Sequence, residues 1–500
     1  MRILLVNPPD PNKVVENPDE QGDEFLEANA FGDFPPLGAL YVISFLEEHT
    51  TGHELFFKDC IGEGMSHGKL EEYIKEVKPD VVGITSFTIS LMDVCLTARK
   101  VKELFPNCHV CLGGHHPIAF PFEAAQLEEF DSIVVGEGEV AFTELVNCLE
   151  KNEGFTHIKG IFTKESIKVF EGNPVRDKRF LKRVTVPAAY IDDIDSIPMV
   201  NRKYIKDVPY QSILGVTKNL ATILSSRGCP YLCTFCDVPI KSYRQRSHYS
   251  VVDEIEACLA MGYTEFHFYD DLFNITAEKI VGFCDELDRR NLKVVWDFRG
   301  RVNAITKESL IRAKASGLRM ISFGVETGTD EGLKILKKAT TTAKIKQTFE
   351  WCRELGILSV ADYIIGQPFE KNIDDINKNI DFLIGLDPDY GQISILKLYP
   401  NTKMYDDAVA KGIVPAGQWE DFSLNPTKDF MVGHWDEFMD LQTLIKQQKK
   451  AYRRFYFRYN YITRSALKTR TWVEFLSKYN GAIKLIWTAR QSVKTNIRRA

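Results

Sequence analysis

No apolar run in this 500-residue chain reaches eighteen residues, the length a membrane-crossing helix needs. No tract is of low complexity. The N-terminal MRILLVNPPDP has one basic residue, a short apolar run and then Pro-Pro. That pattern reads as a buried strand ending in a turn, not as a signal peptide. A net charge of −6 gives no overall attraction to nucleic acid. These absences lead us to expect a cytoplasmic protein in a reducing compartment. There, eleven cysteines mean metal or redox chemistry more often than disulfides. One further thing is missing. Cys229, Cys233 and Cys236 stand in SSRGCPYLCTFC (225–236), and no fourth cysteine stands beside them.

What is present is ordinary in bulk. With 44% hydrophobic and 26% charged residues the chain reads as globular, and its length implies two to four domains. Charge is uneven. Residues 446–500 carry fifteen Lys or Arg and one acid, Glu474, which leaves an acidic body with a basic tail.

Hydrophobic periodicity divides the chain. Over 1–152, strand-like runs (2–7, 54–59, 80–87, 109–114, 132–139) alternate with amphipathic helical stretches (37–49, 69–77, 91–105, 140–151). Such alternation predicts a parallel, doubly wound sheet of Rossmann or flavodoxin type. Ligands bind these sheets at the carboxyl ends of the strands, near the switch point. The rhythm fades over 153–215, which reads as a linker with a short hairpin. Over 216–410 a second alternation begins, with strands at 221–226, 265–271, 293–300, 320–326, 358–366 and 391–400. Six βα units are too few for a full eight-stranded barrel, so a partial (β/α)6 barrel is expected. The cysteines then fall in the loop after its first strand, at the face where such barrels do chemistry. Residues 411–500 read as a helical, basic C-terminal region.

A closed structural zinc site takes four ligands, and a [4Fe–4S] cluster usually takes four thiolates. Three cysteines leave a position open. A fourth protein ligand could come from His267, Cys258 or a distant histidine. Equally, an open iron suits a site where a substrate must bind the metal. Gly228 and Pro230 favour a tight loop, and Phe235 offers a ring beside the last cysteine.

The CxxxCxxC pattern, with an aromatic before its third cysteine, resembles the radical S-adenosylmethionine (SAM) superfamily. The resemblance implies that Cys229, Cys233 and Cys236 hold a [4Fe–4S] cluster whose fourth iron is chelated by SAM. One-electron reduction then cleaves SAM to methionine and a 5′-deoxyadenosyl radical. Five further segments resemble the family's strand-end motifs, in order. In EFHFYDDLF (265–273), Asp270 or Asp271 would receive the SAM ammonium, a charge-assisted contact. Arg301 in RGRVN (299–303) would meet its carboxylate. Glu326 in FGVETGTDEGLK (323–334) would lie near the ribose or carboxylate. Gly366 in YIIGQPFE (363–370) would lie near the adenine, as would Phe235. LKLYPNTKMYD (396–406) resembles the sixth segment, with Pro-Asn-Thr where the family often has Pro-Gly-Thr.

The first 152 residues resemble the cobalamin-binding domain that precedes the radical domain in one large class of the family. ILLVNPP (3–9), FPPLGALYV (34–42), VGITSFT (82–88), LGGHHP (112–117) and VVGEGE (134–139) carry that likeness. It implies that Ser86 hydrogen-bonds the nucleotide tail and that Gly113 and Gly114 let the backbone approach it. Glu137 and Gly138 would serve likewise. Many such domains present Asp-x-His-x-x-Gly, whose His binds cobalt from below. Here Asp59 is followed by Cys60 and Ile61, so no imidazole can come from that motif. A flavodoxin-like domain that only covers the barrel is the simpler alternative. His115 and His116 would either face the corrin or cap a loop, of which the loop is the simpler reading, and Cys108 and Cys111 read as core packing.

The tail from 451 to 490 mixes aromatic, apolar and basic residues, a composition suited to an anionic membrane surface. It serves equally to pack on the acidic body. It resembles the ends of cobalamin-type enzymes that include the anaerobic protoporphyrin ester cyclase and hopanoid-modifying enzymes. That likeness implies a large, lipid-like substrate. The expected protein is therefore a cobalamin-dependent radical SAM enzyme that methylates an unactivated carbon, with an external one-electron reductant, no nucleic-acid partner and peripheral membrane contact through 446–500. Oxidative cyclisation without methyl transfer is one alternative. A non-catalytic iron–sulfur or zinc protein is the alternative of another class.

Overall fold

The computed structural model describes residues 1–14, 32–212, 214, 215, 217 and 219–468. The first sheet is built from Arg2–Asn7 (β1), Glu54–Asp59 (β2), Val81–Ser86 (β3), His109–Gly114 (β4), Ser132–Val134 (β5) and Ile161–Phe162 (β6). Its order is β2-β1-β3-β4-β5-β6. β1 to β5 run parallel, and β6 joins antiparallel to β5. The central strands β1 and β3 are buried on both faces, which is why they read as near-continuous apolar runs. Helices Leu37–His49 and Gly138–Glu150 close one face around Leu40, Phe142 and Leu145. Helices His67–Val77 and Leu91–Leu104 close the other around Leu70, Val94 and Ala98. Chain order reverses at β1, between β2 and β3, and the crevice of a doubly wound sheet opens there.

The stretch 153–215 is more structured than its polar sequence indicates. It supplies β6 to the first sheet, and Gln211–Ser212 pairs antiparallel with Gly32–Asp33. Two-residue strands are too short to produce a period-two pattern.

The second sheet contains Leu220–Ile223 (β7), Glu265–Phe268 (β8), Val295–Gly300 (β9), Leu318–Glu326 (β10), Leu358–Ile365 (β11) and Tyr390–Ile395 (β12). All six are parallel, in the order β12-β11-β10-β9-β8-β7. This is a partial barrel, open between β7 and β12. On its outer side, Phe268, Phe273, Phe283, Trp296 and Phe298 stack between sheet and helices.

Open edges expose backbone groups that must find partners. Helix Leu441–Tyr456 covers β12. Gln448 Nε2 donates to Ile393 O (2.8 Å), and the Ile393 N–H donates to Tyr452 Oη (3.0 Å). On β7, Arg202 Nη2 donates to Thr222 O (2.6 Å), and just beyond the strand Arg246 Nη1 donates to Leu224 O (3.0 Å). Both arginines pair with the buried Glu254.

The two halves share a core. Trp419, Phe422 and Leu398 belong to the same packed cluster as Leu4, Val82 and Val110 of the first sheet. Glu137, just past β5, pairs with Arg227, just past β7, at 3.0 Å, so the carboxyl ends of both sheets face one another.

Candidate active site between the two sheets

The cysteine loop follows β7 directly. Gly228 stands at φ +81°, and a Cβ there would lie 2.5 Å from Ser242 O. The Cys229 N–H donates to Ile240 O (3.0 Å) and Gly228 N to Asp271 Oδ2 (3.2 Å). All three cysteines are half-buried. Burial pushes the Cys229 thiol up and the Cys236 thiol to about 12, and the neighbouring Cys233 adds to both. A bound cation reverses such a shift, because metal ligation requires thiolates. Among the described residues no three His, Cys, Asp or Glu side chains already stand around one point as metal ligands. The donor chemistry is nevertheless that of an iron–sulfur site: three neighbouring thiols on a loop pinned at both ends, with a cation beside them.

That cation is Arg301. Its Nη1 donates to Cys233 Sγ (3.3 Å), and its guanidinium stacks on the Tyr231 ring at 3.8 Å. Asn274 holds the Arg301 backbone in both directions, accepting from its N–H (2.9 Å) and donating to its carbonyl (2.7 Å). Arg301 Nη2 donates to Lys338 O. Lys338 Nζ in turn pairs with Glu326 Oε1 at 3.0 Å. Glu326 is buried, which pushes its carboxyl up against the opposing effect of Lys338. Its backbone stands at φ +66°, unusual for a non-glycine residue and concentrated at functional sites. Gln367 Nε2 holds it by donating to Glu326 O (2.8 Å).

The Asp pair divides. Asp270 is consumed inside the fold: Ser225 N (2.8 Å), Ser225 Oγ (3.0 Å), Ser226 Oγ (2.9 Å) and Ser226 N all donate to it. Asp271 faces open space, yet the mass of protein around it pushes its carboxyl up. That combination belongs to the wall of a cleft. Gly366 stands at φ +76°, with the Leu444 side chain over the place a Cβ would take. Phe235 packs partly buried against the shared core, its ring 5.8 Å from Lys338 Nζ.

Across the cleft lie the strand ends of the first sheet. Ser86 is buried and donates to Gly113 O (2.7 Å), which ties the ends of β3 and β4 together. Gly114 is exposed at φ +92°, and a Cβ there would stand 2.5 Å from Ser86 N, so only glycine fits. Gly113 has open space beside it. Ile61 (44% exposed) and Phe87 (63%) stand at the same rim, and Leu232 (61%) stands on the cysteine loop. Large apolar side chains left uncovered at the carboxyl ends of the strands mark a candidate ligand surface. Asp59 accepts from Asn7 Nδ2 (2.7 Å) and Tyr210 Oη (2.5 Å), so its carboxylate is occupied.

Glu137 takes Arg227 Nη1 (3.0 Å), Arg244 Nη1 (2.8 Å) and the Ile191 N–H (2.7 Å). Glu139 takes Arg227 Nη2 (2.5 Å). The GEGE turn thus clasps Arg227, two residues before Cys229. Gly138 opens the helix Gly138–Glu150 behind it. His115 completes the approach, its Nε2 lying 3.7 Å from Asp237 Oδ2, next to Cys236. Sequence reasoning did not single out Lys338, Gln367, Asn274 or Tyr231. Each acts through partners distant in sequence and carries no local signal.

The model of the radical SAM superfamily matches residues 223–383, and that of the B12 binding domain matches 25–146. An uncharacterised methyltransferase of Pyrococcus horikoshii is 27% identical over 465 residues, covering 92% of this chain and 93% of its own. The anaerobic magnesium-protoporphyrin IX monomethyl ester cyclase of Cereibacter sphaeroides is 30% identical over 426 residues, 81% of this chain and 63% of its own length. The fold is shared with the radical SAM methyltransferase TsrM of Kitasatospora setae, at a TM-score of 0.63 and 20% identity over 82% of this chain and 74% of that one. Each match falls where the structure puts the corresponding element, the glycine-edged sheet first and the cysteine-loop barrel second. The chain therefore belongs to the radical SAM superfamily, as an enzyme whose radical SAM domain is preceded by a B12-binding domain.

Proposed function

We propose that this enzyme transfers a methyl group to an unactivated carbon. The observation that carries the reading is the contact of His115 with Asp237, which brings the glycine-edged face of the first sheet against the cysteine loop. Bound there, the cluster and SAM supply one-electron reductive chemistry and hydrogen abstraction, and cobalamin supplies the methyl group. The protein's own task is to hold and orient. Arg301, fixed by Asn274 and stacked on Tyr231, offers its guanidinium to a carboxylate beside Cys233. Asp271 offers an uncommitted carboxylate oxygen to an ammonium on the opposite wall. The Glu326–Lys338 pair offers one acceptor and one donor to a ribose. Gly113 leaves room for a ligand at the strand ends, and Gly114 lets its own strand end close against Ser86.

A small-molecule substrate and an external one-electron reductant are general to this enzyme class. Peripheral membrane contact is a separate part of the reading. Its support is the exposure of Tyr459 (80%), Ile462 (50%) and Leu467 (86%) on helix Tyr459–Lys468. The lipid-like substrate expected from the tail has less to rest on, since the inner face of the barrel is polar.

The test is anaerobic reconstitution with SAM carrying a deuterated methyl group. We expect four irons per chain, corrin absorbance, 5′-deoxyadenosine under reductant, and the label on the product. Cys233→Ala should lose the cluster and at least about a thousandfold in SAM cleavage, since the cofactor chemistry has no substitute among side chains. Cleavage without label points to cyclisation. Stoichiometric zinc with no cleavage would overturn the enzyme reading altogether.

A further inference from the structure

Beneath the cofactor residues, the lumen of the partial barrel is lined by groups that a hydrocarbon pocket would not carry. Strand residues alternate between the two faces of a sheet. On β7, β8, β9, β10 and β11 one set, including Ile223, Phe268, Phe298, Phe323 and Ile365, packs under the helices. The other set faces the lumen and includes Thr222, His267, Asp297, Arg299, Ser322 and Asp362 beside the apolar Met320 and Val360. Asp297 holds His267 Nδ1, which leaves Nε2 as the imidazole atom for a ligand. Ser322 Oγ donates to Asp362 Oδ2 (2.8 Å), which leaves Oδ1. Thr222 Oγ1, His267 Nε2 and Asp362 Oδ1 are all buried with no hydrogen-bond partner among the described residues. Thr222 is 1% exposed and His267 8%.

An unsatisfied buried polar atom destabilises the folded state, so three on one inner surface call for an explanation. They come from three different strands, β7, β8 and β11, on the inner face of the sheet. Phe34 packs on this wall, its ring stacked on His267 at 5.2 Å and 14° and 5.4 Å from Tyr269. Tyr269 and Arg299 are exposed at the carboxyl ends of their strands, toward the cofactor residues.

We propose that the lumen binds a polar, amine-bearing substrate, with the ammonium or N–H donor on Asp362 and further hydrogen bonds to Thr222 and His267. The Asp362 carboxylate oxygen accepts hydrogen bonds, and the threonine hydroxyl and a neutral imidazole can accept as well. An ammonium matches that set and a hydrocarbon does not. This inference rests on the radical SAM reading of the site, and its test separates the two. Small molecules from the source cells are divided into a chloroform extract, an aqueous fraction retained on a cation exchanger, and the aqueous flow-through. Each is added to anaerobic holoenzyme with reductant and methyl-deuterated SAM. The retained fraction is expected to stimulate 5′-deoxyadenosine formation about tenfold or more, and Asp362→Asn to abolish most of that stimulation. Stimulation by the chloroform extract alone, by the flow-through alone, or by none of the three overturns the inference. Stimulation by the retained fraction without transfer of label leaves the inference standing and removes methyl transfer.

A second variant reads out the lumen without turnover. Thr222→Val swaps an unpartnered buried hydroxyl for a methyl group of the same shape. In a ligand-binding lumen the Tm of the free protein rises and stimulation by the retained fraction falls. A fall in Tm would assign Thr222 a structural hydrogen bond and remove it from the proposed site.

Discussion

His115 and His116 are adjacent in sequence and opposite in environment. His115 reaches the cleft and Asp237. His116 is fully buried, its Nδ1 3.1 Å from Thr88 Oγ1, and burial pushes its pKa down to about 3 with His115 adding to the shift. An unfolded histidine titrates near 6.5. Between those values the unfolded chain binds the proton and the native one does not, so stability falls as pH drops through the window. The loss is about 1.4 kcal/mol per pH unit. His116→Leu should flatten the dependence by about that slope between pH 6 and 4, measured by urea unfolding. An unaltered slope would mean that His116 titrates in the native state. The cysteine cluster was legible because its spacing is local. Adjacency hid the division of labour between Asp270 and Asp271, since only the fold brings Ser225 and Ser226 onto one and leaves the other at the cleft. Lys338 was invisible for a related reason: it meets Arg301 through its carbonyl, across 37 positions of chain.

The strands of both sheets were readable because each carries a buried apolar set, and most helices because their apolar positions recur at helical spacing. Edge protection was not readable, because it depends on side chains that arrive from far along the chain. Glu254 is the clearest case. It lies in helix His248–Ala260 and holds Arg202 (2.9 Å) and Arg246 (2.5 Å), which reach the carbonyls of Thr222 and Leu224. All three side chains are almost fully buried. Removing one member of a buried ion cluster leaves the others uncompensated, at a cost of about 3–5 kcal/mol. Glu254→Ala should therefore lower stability by that amount and loosen β7, the strand that launches the cysteine loop. Hydrogen exchange of the β7 amides checks the location of the effect, and a loss spread evenly over both sheets would contradict it.

At the scale of the molecule, the basic tail divides into two parts with different work. Arg454 pairs with Asp381, and Arg458 and Arg464 pair with Asp387, so these charges bind the acidic body rather than a distant surface. Helix Leu441–Tyr456 also covers β12 through Gln448, Tyr452 and Tyr456. Residues 469–500 lie outside the described residues, and they carry seven Lys or Arg against Glu474. No helix among the described residues is long and apolar enough to cross a membrane. Juxtamembrane basic residues contribute about 1 kcal/mol each at an anionic surface, an effect that salt screens. Two truncations separate these roles. A chain ending at residue 445 loses the cover of β12 and should melt well below the full chain. A chain ending at 468 keeps that cover and should melt with the full chain, while losing most binding to vesicles containing phosphatidylserine at low salt. If the chain ending at 468 sediments with those vesicles as well as the full chain does, the basic tail has no membrane role, and its charges serve the acidic body alone.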